Sequence, residues 1–185
     1  MARLVAERAD VIPALGETFR RYGFEGASIA RISEQTKMGK GSLYHFFPGG
    51  KDEMAIAVLA DIQDWFEKNI FAPLENDNPT VAISTMFAAV EAYFRSGQRI
   101  CLMGAFALEE TRDRFSDEVK LYFARWLEVL SQALNRAGFD NEEAAHNAKA
   151  IIAGIQGAII LCRALDHEGS FSDTIGHLKR LANTI

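Results

Sequence analysis

The residues with chemistry to offer gather in one short run. Within Lys40, Gly41, Ser42, Tyr44 and His45 stand a cation, a hydroxyl, a phenol, an imidazole and a glycine that lets backbone come close. Cations, hydroxyls and forward-pointing N–H groups near a helix start suit contacts to phosphates and base edges. Nothing comparable is arranged for catalysis. His45, His146, His167 and His177 show no HExxH spacing, and the chain has no Gly-x-Ser-x-Gly, phosphate loop or CxxC. The triplet Asp166-His167-Glu168 stands at a helix end, where neighbouring side chains diverge, so it reads as a solvated turn rather than a metal site. Cys101 and Cys162 are far apart and without metal-type spacing, which fits reduced thiols in a core or pocket. No enzyme activity, metal or cofactor is expected.

The elements that must hold the polar run are two short helices between Ser28 and Lys51. Ser28 can cap the first, and Ile29 and Ile32 share its inner face. The turn lies at Thr36 to Gly39. With Gly39 as N-cap, Met38 precedes the cap and Leu43 is the fourth helical residue, the spacing of a hydrophobic staple. The pair reads as a helix-turn-helix with Lys40, Gly41, Ser42, Tyr44 and His45 facing outward.

The run Gly-Lys-Gly-Ser-Leu-Tyr-His-Phe-Phe-Pro from Gly39 to Pro48, followed by Lys51, resembles the tetracycline-repressor (TetR) family of one-component transcriptional regulators. Leu15, Phe19, the Tyr22-Gly23-Phe24 turn and Ser28 to Ile32 also fall where that family places its first helix and the entry to its second. Roughly the first third of the chain carries this motif. The resemblance implies DNA contacts at Ser28, Lys40, Gly41, Ser42, Tyr44, His45 and Lys51, with a ligand-binding and dimerising body behind. Two positions depart from the family pattern. Lys37 stands where a glycine usually closes the turn, and a left-handed backbone there would cost about 1–2 kcal/mol. Pro48-Gly49-Gly50 lengthens the spacing before Lys51, a variant resembling the LmrA/YxaF-like subgroup.

The net charge of −5 divides unevenly along the chain. Residues 1–51 hold 8 Lys and Arg against 5 Asp and Glu, and the remainder holds 12 against 20. A basic head on an acidic body would present the right face to phosphate. Arg3 and Arg8 are too few for a basic arm reaching into a minor groove. With no leader peptide and no uncharged stretch of 18 residues, the chain is expected to be soluble, cytoplasmic and without a membrane partner.

Helical periodicity runs through the whole sequence, predicting an all-α fold of about nine helices, with a head over 1–50 and a body over 51–185. Asp10 is a plausible first cap; Pro13 then lies in the first turn, or kinks a helix that begins near Arg3. Met54, Val58, Ile62, Trp65 and Phe66 make one stripe of a helix expected to end before Pro73. Asn78-Pro79 opens the next helix, Ile100 to Leu108 reads as buried, and Ser116 and Asp140 begin two long helices. The longest segment stops at Gly169, and the last helix begins near Ser170.

The body holds more large aromatics than a scaffold needs. Phe66, Phe87, Tyr93, Met103, Phe106, Tyr122, Trp126 and Gln156 are the expected lining of a ligand pocket, with Glu109 as a further polar group. The resemblance also assigns the last two helices to a homodimer, with Ile151, Gly154, Ile155, Ala158, Ile159, Ile175 and Leu178 at the interface. Tight packing within one chain would use the same small residues. The function implied is a homodimeric repressor on a near-palindromic double-stranded operator, released by a small apolar or aromatic effector. The alternative is a helical small-molecule-binding protein or enzyme with a non-functional helix-turn-helix.

Overall fold

The computed structural model describes residues 7–108, 110–167 and 169–183, and every regular element among them is helical. Glu109, Glu168 and Arg3, named above, lie outside the described residues.

The chain divides into two compact units. The head unit holds the described residues up to Gln63 together with Leu102–Val119; the body unit holds Asp64–Cys101 and the described residues from Lys120 onward. Division by compactness therefore falls inside a helix, after Gln63, whereas the division at residue 50 separates the first three helices from the rest.

In the head, α1 spans Arg8–Gly26, α2 Ile29–Thr36 and α3 Lys40–Phe46. The cap of α1 is Glu7 rather than Asp10. Asp10 occupies the third helical position and its carboxylate accepts the Glu7 N–H at 2.8 Å, so it serves the helix start from inside. Pro13 lies within α1, beyond the first turn. Gly23 breaks α1 with φ 69°, the turn expected at Tyr22-Gly23-Phe24. The head core joins Leu15, Phe19 and Phe24 of α1 with Ile32, Leu43 and Phe47, all buried. Phe106 of α7 (Leu102–Leu108) and Phe115 complete it, with Phe24 5.1 Å from Phe115 and 6.0 Å from Phe106 between ring centroids. Leu108, at the end of the run expected to be buried, is 84% exposed.

Gly50–Phe66 forms α4, which passes through a π turn at Glu67–Phe71 into α5, Ala72–Asn76. The three segments make one unbroken rod, which gives nine helices among the described residues. The expected stop before Pro73 is thus overridden. Proline has no N–H to give, and Pro73 falls where the spacing of backbone bonds changes from five residues back to four, so the missing donor and the change of register coincide.

The rest of the body is α6 (Pro79–Tyr93), α8 (Ser116–Arg136), α9 (Asn141–Leu165) and α10 (Gly169–Leu181). Asn78 caps α6 through the Val81 N–H, and Asp140 caps α9 through the Glu143 N–H at 2.8 Å. Between α6 and α7 the chain turns through Arg95, Ser96 and Gly97, all with positive φ. Gly97 is required there, because a Cβ would stand 2.9 Å from the Cys162 side chain and from Phe171 as well as sitting at φ 91°. Both cysteines are buried, and neither is in a disulfide.

Candidate nucleic-acid interface and buried polar cluster

In the head, local caps set the aim of the short helices. Ser28 Oγ accepts the Arg31 N–H at 3.3 Å to start α2. The helix ends at Lys37 in the left-handed conformation, φ 57° and ψ 26°. The Ser33 hydroxyl donates to the Met38 carbonyl across the turn, and Gly39 opens α3 with extended backbone. Leu43 is fully buried, which anchors α3 by one side and turns Lys40, Gly41, Ser42, Tyr44 and His45 to solvent. Tyr44 is 47% exposed, and nothing approaches the position a Cβ would take on Gly41.

Other head cations are occupied. Lys51 Nζ donates to the Phe24 carbonyl at 3.0 Å, lies 4.2 Å from the centre of the Phe24 ring and pairs with Glu25 at 3.6 Å. Arg8 sits over Phe47 and bonds Glu53 and the Phe46 carbonyl. Arg31 stacks on Tyr22 at 4.7 Å and donates to the Gly26 carbonyl at 2.7 Å. Lys37 and Lys40 are exposed and carry no ion pair among the described residues. Glu53 supplies a cap that spacing alone did not single out, its carboxylate accepting the Gly49 N–H at 2.8 Å before α4.

In the body, eight aromatic rings meet, Phe123 among them at 4.9 Å from Tyr122. Phe66 lies 4.9 Å from Tyr93 and from Tyr122, 5.4 Å from Trp126 and 5.2 Å from Trp65, and Phe71 and Phe94 join the same cluster. Among these rings the Tyr122 hydroxyl and the Trp126 indole N–H are buried and have no hydrogen-bond partner among the described residues. The amide nitrogen of Gln156, on α9, is in the same condition. An unpaired buried donor costs about 1–3 kcal/mol, so three in one unit call for a compensating role. Burial, then the nearby Cys101 and Tyr93, pushes the Tyr122 phenol well above its ordinary value and keeps it neutral.

The description "Bacterial regulatory proteins, tetR family" matches residues 11–58, and "Transcriptional regulator LmrA/YxaF-like, C-terminal domain" matches 79–176. The chain belongs to the TetR family. It is a DNA-binding transcriptional regulator rather than an enzyme. Relatives include the HTH-type transcriptional regulator LmrA of Bacillus subtilis, 23% identical over 83% of this chain and 85% of that protein. YxaF of the same organism, described as an uncharacterized HTH-type transcriptional regulator, is 26% identical over 83% of each. A TetR transcriptional regulator from Legionella pneumophila shares the fold, with a TM-score of 0.79, 21% identity and coverage of 96% of this chain and 98% of that one.

In this TetR regulator the residues singled out for the ligand separate into two groups. Phe66, Tyr93, Tyr122 and Trp126 meet in the body cluster, joined by Trp65, Phe71 and Phe94. Met103 and Phe106 instead belong to the head unit, where Phe106 packs on Phe19, Phe24 and Phe115. Phe87 is buried in the body. Periodicity marks all of these as apolar and inward without saying inward toward what.

The residues singled out for the dimer are also redistributed. Ile151, Ile155, Ala158, Ile159, Ile175 and Leu178 are buried within the protomer, and a Cβ on Gly154 would meet Leu178 at 2.8 Å. The approach of Gly154 to Leu178 belongs to the packing of α9 against α10 of the same chain. The exposed apolar stripe of α9 lies on its other side, where Ala153, Gly157, Ile160, Leu161, Ala164 and Leu165 recur at three- and four-residue spacing. Ile160, Leu161 and Leu165 are 59%, 50% and 64% exposed, and Gly157 has open space where a Cβ would stand. Being apolar on both faces, α9 has the length and hydropathy of a membrane span, with 39% of that window buried.

Proposed function

We propose that this protein is a homodimeric repressor that holds a near-palindromic operator through α3 and releases it when a small effector enters the body. DNA reading rests on Lys40, Gly41, Ser42, Tyr44 and His45, with Ser28 at the exposed start of α2; Lys51 acts as an internal strut that braces α4 against the end of α1. One recognition helix of this length reads only a few base pairs, so two copies about one DNA turn apart, roughly 34–36 Å, are needed for a specific site. The exposed α9 stripe supports dimerisation, since contiguous apolar surface of this kind is seldom left in water.

The observation that carries the effector reading is the buried, unpartnered set of Tyr122 hydroxyl, Trp126 indole N–H and Gln156 amide nitrogen. Indole and amide N–H groups can only donate, and the phenol is held neutral. The matching ligand is a neutral, largely aromatic molecule bearing hydrogen-bond acceptors. The ligand shifts the balance between two body conformations by no more than its difference in affinity for them.

The first test is selection of bound sequences from a random duplex pool by the purified protein at two salt concentrations. A recovered palindrome whose affinity falls with salt supports the reading, and weak, sequence-independent retention contradicts it. With the operator in hand, neutral acceptor-bearing aromatics should release it and their carboxylate analogues should not. For the dimer, Leu161→Glu should yield monomers in sedimentation equilibrium; a dimer unaffected by that change places the interface elsewhere.

A further inference from the structure

Phe66 and Phe71 are five residues apart, and on an uninterrupted α-helix they would point about 140° away from each other. Here both pack on the same two rings. Phe66 lies 4.9 Å from Tyr122 and 5.4 Å from Trp126, and Phe71 lies 5.9 Å and 6.3 Å from them. The π turn at Glu67–Phe71 makes this possible, because five-residue bonding stacks residue i over residue i+5.

The turn is fastened from outside. Arg125 of α8, next to Trp126, bridges the first residue of the turn to the helix that follows it: Nε and Nη2 reach the Glu67 carboxylate at 3.4 and 3.1 Å, and Nη1 and Nη2 reach Glu75 of α5 at 3.2 and 2.7 Å. A planar guanidinium can hold two carboxylates in this way where an ammonium cannot. Within the turn, the Asn69 side-chain amide donates to the Trp65 carbonyl at 2.7 Å.

We propose that this π turn is the element through which the body sets operator affinity, with Arg125 as the positioning residue that holds its register. The inference rests on the effector reading above and names its moving part. An effector that pairs with Trp126 and Tyr122 competes with Phe66 and Phe71 for the same rings. Displacing either ring removes the contact that the five-residue spacing serves, and relaxation toward α geometry rotates α4 about its axis upstream of the turn. That helix runs without interruption back to Gly50, immediately beyond α3, and its Lys51 holds the Phe24 carbonyl.

The test uses the full-length protein and the selected operator, without any effector. Phe71→Ala removes the ring that the five-residue spacing brings onto Tyr122 and Trp126. Operator affinity is expected to change at least tenfold, with helical content and cooperative unfolding retained. A folded Phe71→Ala variant that binds the operator within twofold of the parent overturns the proposal. Because loss of a buried ring can also prevent folding, Arg125→Gln is measured beside it, labelled with 5-fluorotryptophan; the chain has only Trp65 and Trp126. Its 19F resonances should shift or double, and operator affinity should change at least threefold at a temperature where the variant is fully folded. A lower melting temperature with unchanged resonances and affinity would show that Arg125 only braces the fold, and would overturn its positioning role. If the parent selects no operator at all, the regulator reading fails and this inference falls with it.

Discussion

The head and the body treat their polar groups in opposite ways. In the head, cations are tied to backbone carbonyls and aromatic rings, as with Lys51 on Phe24 and Arg31 on Tyr22, which leaves Lys37 and Lys40 beside the polar face of α3. In the body, charges are paired at the surface around Arg125 while three neutral donors are buried without partners. A surface built to meet a polyanion keeps its free charge outside and its frame rigid. The proposed effector site keeps its unmet hydrogen bonds inside.

The strongest way to break this contrast is to disarm the head while leaving its frame intact. Tyr44→Ala and Lys40→Ala should each lower operator affinity tenfold or more in fluorescence anisotropy, with melting temperatures within a degree or two of the parent. Lys40→Ala should also reduce the slope of log affinity against log salt by about 1. Unchanged affinity would mean that α3 is not the reading element. A smaller effect tests the frame itself. Lys37 holds a left-handed backbone, so Lys37→Gly should stabilise the protein by about 1 kcal/mol and raise the melting temperature by about 2–4 °C. A fall would mean that the lysine stem makes contacts worth more than the strain.

The smallest effect concerns the body surface. Arg125 holds the Glu75 carboxyl below its ordinary value, through hydrogen bonding first and then charge. A lowered carboxyl contributes stability that is present above the unfolded value, about 4.3, and is lost as pH falls through the lower folded one. Between pH 6 and pH 3 the parent should therefore lose more stability than Glu75→Gln. Parallel pH profiles would show that the pair contributes nothing, as many exposed ion pairs do.

The sequence was most legible where structure is decided locally. Ser28, Asn78 and Asp140 each accept an N–H at the third helical position, as their types and spacing require, and Gly39 opens α3 where the turn was placed. What was not legible depends on phase and on partners. The π turn cannot be found by seeking three- and four-residue periodicity, since it exists to align residues five apart. Phe66 and Phe106 look alike in an apolar pattern, yet they serve different cores. From Ile151 to Cys162 α9 carries Gln156 as its one polar side chain, so the pattern there gives no phase to separate the face that packs on α10 from the face left open. Lys51 stands at the right position for a phosphate contact, but a long flexible stem lets a nearby carbonyl and ring decide where it goes.

The central claim is that the body buries donors which nothing among the described residues satisfies, and thermal unfolding of Tyr122→Phe tests it most directly. If the hydroxyl has no partner, its removal relieves a buried polar group at almost unchanged shape. The variant should then be more stable by about 1 kcal/mol, melting about 2–4 °C higher. A variant that melts lower than the parent would show that the hydroxyl is bonded within the folded chain, and the effector reading of the aromatic cluster would lose its support.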